Sequence, residues 1–280
     1  MKQRLSLKNI ALYLLLVLLA CYFLFPTVFM IVSSFKTDDL QLIRDMSGLK
    51  GFIPYGEIGF DNYIALFTET AFHRFFGNSL WILIWTISLG LIVNSMIAYA
   101  MARVEFPGRR ILVTVIISLM IIPIESVVIP MLLMVNRFGL LDTYTVQIIP
   151  FIADAFSIFL FYQFFINIPK DLDEAAIIDG ADYFMIYRRL ILPLAKPVIA
   201  SVAILQSIQR WGEFLWPLMV TREERVRPLT IAIQQFFAYD PKEWGQIFAF
   251  ATMITLPVLV LFLIFQKAFV KSVASSGVKG

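Results

Sequence analysis

Four ionisable residues stand inside long apolar runs: Glu125, Asp154, Arg210 and Glu213. Charges in such surroundings are costly, and they either line a water path or pair with one another. Arg210 and Glu213 are three residues apart, so on one helix they share a face. They fall roughly 17 residues, or about 25 Å of helical rise, into their run. Two readings stay open for them, a structural ion pair or part of a substrate path or outer gate. Glu125 is flanked by Pro123 and Pro130, which loosen backbone bonding and mark a bent or broken helix. Asp154 stands near the middle of its run. Each of these two is either a path residue or a group bonded to a neighbouring helix. Trp211, Phe214 and Trp216 lie beside the charges. Sugar rings stack on such side chains, but Trp also favours membrane interfaces.

Other chemistry is excluded by what the chain lacks. Cys21 is its one cysteine and His73 its one histidine, too few for a disulfide framework or a Cys/His metal site. No nucleophile–base pair supports an enzyme. No Gly-x-x-x-x-Gly-Lys-Ser/Thr loop occurs, so no phosphate cradle for ATP is expected here. A formal charge of +3 is too small to suggest nucleic acid as a partner.

The elements that carry these residues follow from composition. Of 280 residues, 60% are hydrophobic and 15% charged, far less charge than a soluble domain of this length carries. A membrane is the simplest destination for the excess. Six apolar runs appear, at residues 10–32, 80–101, 111–135, 143–166, 193–220 and 247–266. They do not alternate, which excludes a barrel, and helices satisfy every backbone group within a span. The expected fold is an all-α integral membrane protein. Lys2, Arg4 and Lys8 before the first run resemble a signal peptide, and Leu18-Leu19-Ala20-Cys21 resembles a lipoprotein processing site. The run nevertheless stays apolar to Val32, which favours an uncleaved span.

Basic residues orient the spans. With tail 1–9 inside, Lys2, Arg4, Lys8, Arg103, Arg109, Arg110, Lys170, Arg188, Arg189, Lys196, Lys267, Lys271 and Lys279 all fall on the inner side. The outer segments 33–79 and 221–246 carry acids such as Asp38, Asp39, Asp45, Glu57, Asp61 and Glu69. The positive-inside rule then places both termini, including tail 267–280, in the cytoplasm.

The inner loop 167–192 carries the most informative pattern. Pro169 suits a helix start, the acids after it suit the positive helix end, and Gly180 allows a sharp turn. A second short helix fits Tyr183–Leu190, and Pro193 would open the fifth span. On physics alone this could be an amphipathic loop lying at the membrane surface. Its residues, however, read Glu174-Ala175-Ala176, three residues of which Asp179 is the last, Gly180, nine residues, and Leu190-Ile191-Leu192-Pro193. This resembles the Glu-Ala-Ala loop of ABC importer permeases, with Leu190 where isoleucine is usual. Asn78-Ser79-Leu80, the stretch Ala98 to Arg103 with Phe106-Pro107-Gly108-Arg109, and the ending Gly277-Val278-Lys279-Gly280 resemble the carbohydrate-uptake branch, as in maltose-type importers. Trp211-Gly212-Glu213-Phe214 departs from the Trp-Asn usual near that point, which leaves the solute open.

The resemblance implies a six-span permease of the type I importer fold without catalysis of its own. It implies a coupling helix built from Glu174, Ala175, Ala176, Asp179, Gly180, Leu190, Leu192 and Pro193, and an ATPase contact by tail residues Gly277, Val278, Lys279 and Gly280. It also implies partners: a second permease, two ATPase copies that bind ATP and Mg, and an extracytoplasmic solute-binding protein, all at a bacterial or archaeal cytoplasmic membrane. The expected solute is a di- or oligosaccharide, with glycerol 3-phosphate or a sugar alcohol as the alternative. A self-sufficient secondary transporter would explain the spans but not the loop.

Overall fold

The computed structural model describes residues 7–238 and 241–277. Among them no β-strand forms, and Lys36 and Ile58 make an isolated antiparallel bridge. The chain divides into two compact units, Met1–His73 with Ala232–Pro257 and Arg74–Ile231 with Val258–Gly280.

The first unit holds α1 (Leu7–Ser34), α2 (Asp39–Asp45), α3 (Asp61–Thr68) and, from later in the chain, residues 232–257. Residues 11–26 of α1 are exposed throughout, an apolar surface suited to lipid rather than water. Beyond α1 the chain is tied down by polar groups. Asn62 donates its side-chain amide to the carbonyls of Ser34 and Lys36, at 3.0 and 2.8 Å. Lys36, 1% exposed, pairs with Asp45 Oδ2 at 2.7 Å and also donates to the Lys50 carbonyl. The Tyr55 hydroxyl donates to the other oxygen of Asp45. Phe29 packs edge-on against Phe248, and Phe72 against Phe250.

The second unit is built on α4 (Phe72–Arg103), α5 (Arg109–Leu119), α6 (Ile124–Arg137), α7 (Tyr144–Ile148), α8 (Ala155–Ile166), α9 (Asp171–Ile178), α10 (Tyr183–Ile186), α11 (Leu192–Leu194), α12 (Lys196–Trp211) and α13 (Leu215–Val220). α14 (Leu229–Ala232) closes this stretch, whereas α15 (Gln234–Phe237) and the Trp244–Pro257 part of α16 (Trp244–Gly277) belong to the first unit. Ala98, Met101 and Ala102 of α4 pack with Phe161 and Phe165 of α8, Ile186, Tyr187 and Ile191, and Val198 and Val202 of α12. A second cluster joins Val128, Val135, Val146, Phe151, Trp216 and Val220.

Several boundaries differ from those expected, and proline and glycine account for most of the differences. The second run extends back to Phe72, because Asn78 and Ser79 are satisfied by the 225–229 segment rather than by water. The third run is broken into α5 and α6, inclined by 102°. Pro123 has no amide to donate and disfavours helix at Ile122, whereas Pro130 lies within α6 without breaking it. The fourth run loosens at Ile149–Phe151, around Pro150, before α8 begins. The run 193–220 is not one helix. Tyr183–Leu194 and Lys196–Trp211 are inclined by 76°, and the chain breaks again at residues 212–214 before α13. Pro193 therefore lies in the short α11, and α12 opens instead at Lys196, with Pro197 in its first turn. Among the described residues, four helices are long and apolar enough to cross a membrane, or up to six if each bent pair is one span.

Candidate functional site

The loop between α8 and α12 carries the motif residues. α9 starts at Asp171, two residues later than Pro169, with Lys170 at its N-cap. Asp171, Asp173 and Glu174 fill its first turn, where the positive end of the helix favours them. Gly180 ends it with φ +84°, a conformation that costs other residues roughly 1–2 kcal/mol. Asp182 then caps α10 by accepting from the Met185 amide at 2.7 Å. The expected second helix, Tyr183–Leu190, is α only to Ile186 and passes into a wider π turn at Tyr187–Ile191.

One face of this loop is anchored and the other is bare. Ala176, Ala181, Leu190 and Leu192 pack on the α4/α8/α12 core. Glu174, Ala175, Asp179, Gly180 and Pro193 are exposed. Leu172, Ile177, Ile178, Tyr183, Phe184 and Met185 are exposed as well, Ile178 at 86%. Apolar side chains gathered on one turn without cover mark an interaction surface.

The anchor is a residue that composition alone had marked only as basic. Arg103 ends α4, and its side chain is 3% exposed. It donates to the carbonyls of Phe165 and Ile168 at 2.8 and 2.7 Å and lies 3.1 Å from Asp173 in α9.

The charges inside the apolar runs separate into different environments. Glu125 is exposed in the first turn of α6. Asp154 is the N-cap of α8, accepting from the Ser157 amide at 2.7 Å, and its Oδ2 also accepts from Gln206 of α12 at 2.7 Å. Asn94 of α4 bridges the same break, donating to the Ile152 carbonyl and accepting from the Asp154 amide. Gly90 permits this approach, since a Cβ there would lie 3.3 Å from the Ile152 carbonyl. Asn94 and Gln206 were missed in the sequence because they are polar without being charged. Their signal was an amide in an otherwise apolar run.

Arg210 and Glu213 are not on one helix. Arg210 is in the last turn of α12, and Glu213 lies beyond it, before α13. The turn at Gly212 nevertheless brings Arg210 Nη1 within 3.7 Å of Glu213 Oε2. The Arg210 guanidinium lies 4.2 Å from the centre of the Phe151 ring, and Glu213 also accepts from the Trp216 amide. These residues, with Ser79, Gln147, Trp211, Trp216 and Thr230, line a small, partly open cleft. Trp216 is 1% exposed and donates its indole N–H to the Val146 carbonyl, so its ring is committed to the core. Trp211 is also buried, edge-on to Phe76, while Phe214 is exposed. Of the tail residues, Gly277 ends α16, and Val278, Lys279 and Gly280 lie outside the described residues. No group of His, Cys, Asp and Glu able to hold a metal ion occurs among the described residues.

Long apolar helices, charges settled within them and an anchored loop with a bare apolar face define an all-helical, multi-pass membrane protein. The chain belongs to the family of binding-protein-dependent transport system inner membrane components, whose family model matches residues 88–275. These are ABC transporter permeases, and the relatives of this chain serve sugar transport. It is 34% identical to the arabinooligosaccharides transport system permease protein AraQ of Bacillus subtilis, over 98% of this chain and 97% of that one. It is 30% identical to the trehalose/maltose transport system permease protein MalG of Thermococcus litoralis, over 98% of both. A crystal structure of a bacterial ABC transporter that imports the acidic polysaccharide alginate contains a chain of the same fold. The TM-score is 0.84, with 23% identity, covering 95% of this chain and 98% of that one. Permease subunits of this kind are not enzymes themselves.

Proposed function

We propose that this chain forms half of the translocation path of an ATP-driven importer for a di- or oligosaccharide. A second, different permease supplies the other half. Two ATPase copies bind ATP and Mg, and an extracytoplasmic binding protein delivers the sugar. Each bent helix pair counts as one span, which gives six spans with both termini in the cytoplasm. α9 is the coupling helix, and ATPase closure moves it as a rigid body.

The observation that carries this reading is the loop itself. Glu174, Ala175 and Gly180 are exposed beside the bare side chains of Leu172, Ile177, Ile178, Tyr183, Phe184 and Met185, on a loop whose other face is packed. Small residues and an apolar rim suit insertion into a cleft of another protein. For the sugar, support comes from the relatives, named for arabinooligosaccharides, diacetylchitobiose and trehalose/maltose. A further fold neighbour was crystallised with an alginate pentasaccharide-bound periplasmic protein.

The test is purification through a tag on this chain from its native membrane, followed by reconstitution. Two distinct permeases and two ATPase copies are expected. Binding-protein-dependent uptake should be found for one of arabinotriose, diacetylchitobiose, maltose, trehalose or lactose. Uptake of glycerol 3-phosphate alone, or flux by this chain without an ATPase, overturns the reading.

A further inference from the structure

Arg103 joins three elements through one guanidinium. Its own backbone ends α4. Its Nη2 donates to the carbonyls of Phe165 and Ile168 at the end of α8, the first of which also accepts from the Ile168 amide. A cation is favoured there by the helix dipole. Its Nη1 reaches Asp173 in the first turn of α9 at 3.1 Å. A lysine would offer a point charge in place of this planar fork.

The attachment is unequal on its two sides. Two carbonyl bonds hold the guanidinium to the end of α8, and one ion pair holds it to α9. Asp173 Oδ1, Arg103 Nε and the Tyr99 hydroxyl are all buried without a hydrogen-bond partner. Tyr99 lies one turn before Arg103 on α4, on the same face. Stranded buried groups are expensive, so the joint holds unused donors and acceptors on both sides of the ion pair. Asp173 can turn its second oxygen toward the guanidinium, or toward Tyr99, as α9 tilts.

We propose that Arg103 is the positioning residue through which movement of α9 reaches the spans, an inference that rests on reading α9 as the ATPase contact. The ion pair with Asp173 is a joint that swaps partners, and the carbonyl bonds are its fixed side.

The experiment uses the complete importer, purified through a tag on this chain and placed in nanodiscs. Backbone hydrogen exchange is followed in α9 and at the Asn167 and Ile168 amides, which close the end of α8. Measurements are made without nucleotide and with ATP, Mg and vanadate. In the parent, nucleotide changes exchange in both places. In Arg103→Lys and in the milder Asp173→Asn, the change stays in α9 and does not reach 167–168. In liposomes, ATP hydrolysed per sugar imported rises roughly 10-fold in both variants. Transmission to 167–168 at the parental size, with a parental ATP-to-sugar ratio, overturns the inference. So does faster exchange throughout α8 and α9 without nucleotide in both variants, since that is loss of fold only. Glu174→Lys is measured alongside. If it too keeps the ATPase and parental uptake, the reading of α9 as the ATPase contact has failed. If only the Arg103 and Asp173 variants are unaffected, this inference alone has failed.

Discussion

The side-chain amide of Gln206 donates to Asp154 Oδ2 across 2.7 Å, joining α12 to the first turn of α8 in the middle of the apolar runs. The same amide also donates to the Ser157 hydroxyl at 2.9 Å. A charge that sequence leaves between transport path and packing is thus held by a helix cap and a neighbouring helix.

Asp154→Ala removes the cap of α8 and one of the two acceptors of Gln206. Because Ser157 still accepts from the amide, the loss is expected to be that of a cap, about 1 kcal/mol. Asp154→Asn keeps a capping oxygen and should lose less. Thermal unfolding in detergent checks the order parent, Asn, Ala. Equal midpoints for parent and Ala contradict it.

Substitution at Gly180 separates backbone strain from crowding. A Cβ there meets nothing within 4 Å, but φ is +84°. Gly180→Asn is expected to transport near the parental rate, since Asn tolerates this conformation. Gly180→Ala should be reduced, and Gly180→Pro, whose φ is fixed near −65°, should abolish sugar-stimulated ATP hydrolysis and uptake. Membrane levels should remain comparable in all three. A Pro variant with parental uptake removes this loop from the coupling path.

The Lys36–Asp45–Tyr55 group makes the segment after α1 sensitive to acid. The hydrogen bond from Lys36, then that from Tyr55, holds the Asp45 carboxyl below its ordinary value of 3.8. A depressed folded-state value contributes stability that is present above pH 3.8 and is lost as pH falls through the folded value. Tyr55, donating to Asp45, is raised above 10.0, so its contribution is lost only as pH rises through that higher value. Pepsin cleavage within residues 33–72, followed from pH 5 to pH 2 (about the useful range for such a carboxylate), should rise steeply below pH 3.8 in the parent. In Asp45→Asn cleavage should already be raised at pH 5 and nearly flat below it. A parent curve flat across that interval rules the account out.

Arg210 and Glu213 should behave as a unit. Arg210 is 9% exposed and Glu213 19%, so removing the carboxylate leaves a nearly enclosed cation without its counter-charge, at a cost of about 3–5 kcal/mol. Glu213→Gln is therefore expected to destabilise more than the double change Arg210→Met with Glu213→Met. Unfolding midpoints of Glu213→Gln, of the singles Arg210→Met and Glu213→Met, and of the double settle this, and additive losses of the two Met singles refute it.

Much of this arrangement could be read from the chain before folding. The six apolar runs are mainly helical, with breaks at 120–123, 152–154, 195 and 212–214, because backbone groups in such runs have few other partners. The Glu174–Pro193 spacing named the family, and Gly180 marked a turn. What escaped was set by tertiary partners. Helix continuity across 193–220 depended on Gly212 and on Glu213 capping the next helix, which periodicity does not encode. The spacing of Arg210 and Glu213 suggested a shared helical face, yet they meet across a helix end. Arg103 counted only as a positive charge until the carbonyls that end α8 and Asp173 were found around it. Asn94 and Gln206 are uncharged, and their importance lies in a break created by Pro150, some distance away in the chain.

The 102° break before Pro123 has a bearing on the life of the protein before assembly. No side chain caps the start of α6, and Ile121 is 81% exposed beside it. Irregular backbone at membrane depth is tolerated only when covered by protein or bathed by water, since each unsatisfied group in hydrocarbon costs several kcal/mol. The Met120, Ile121 and Ile122 amides bond back to the Ile117, Ser118 and Leu119 carbonyls, so a newly inserted copy without the proposed second permease would show mainly the apolar side chains of this elbow. It is an orphan in the sense used for unassembled subunits, and its half-life in the membrane should be set by how soon another chain shields this elbow from degradation.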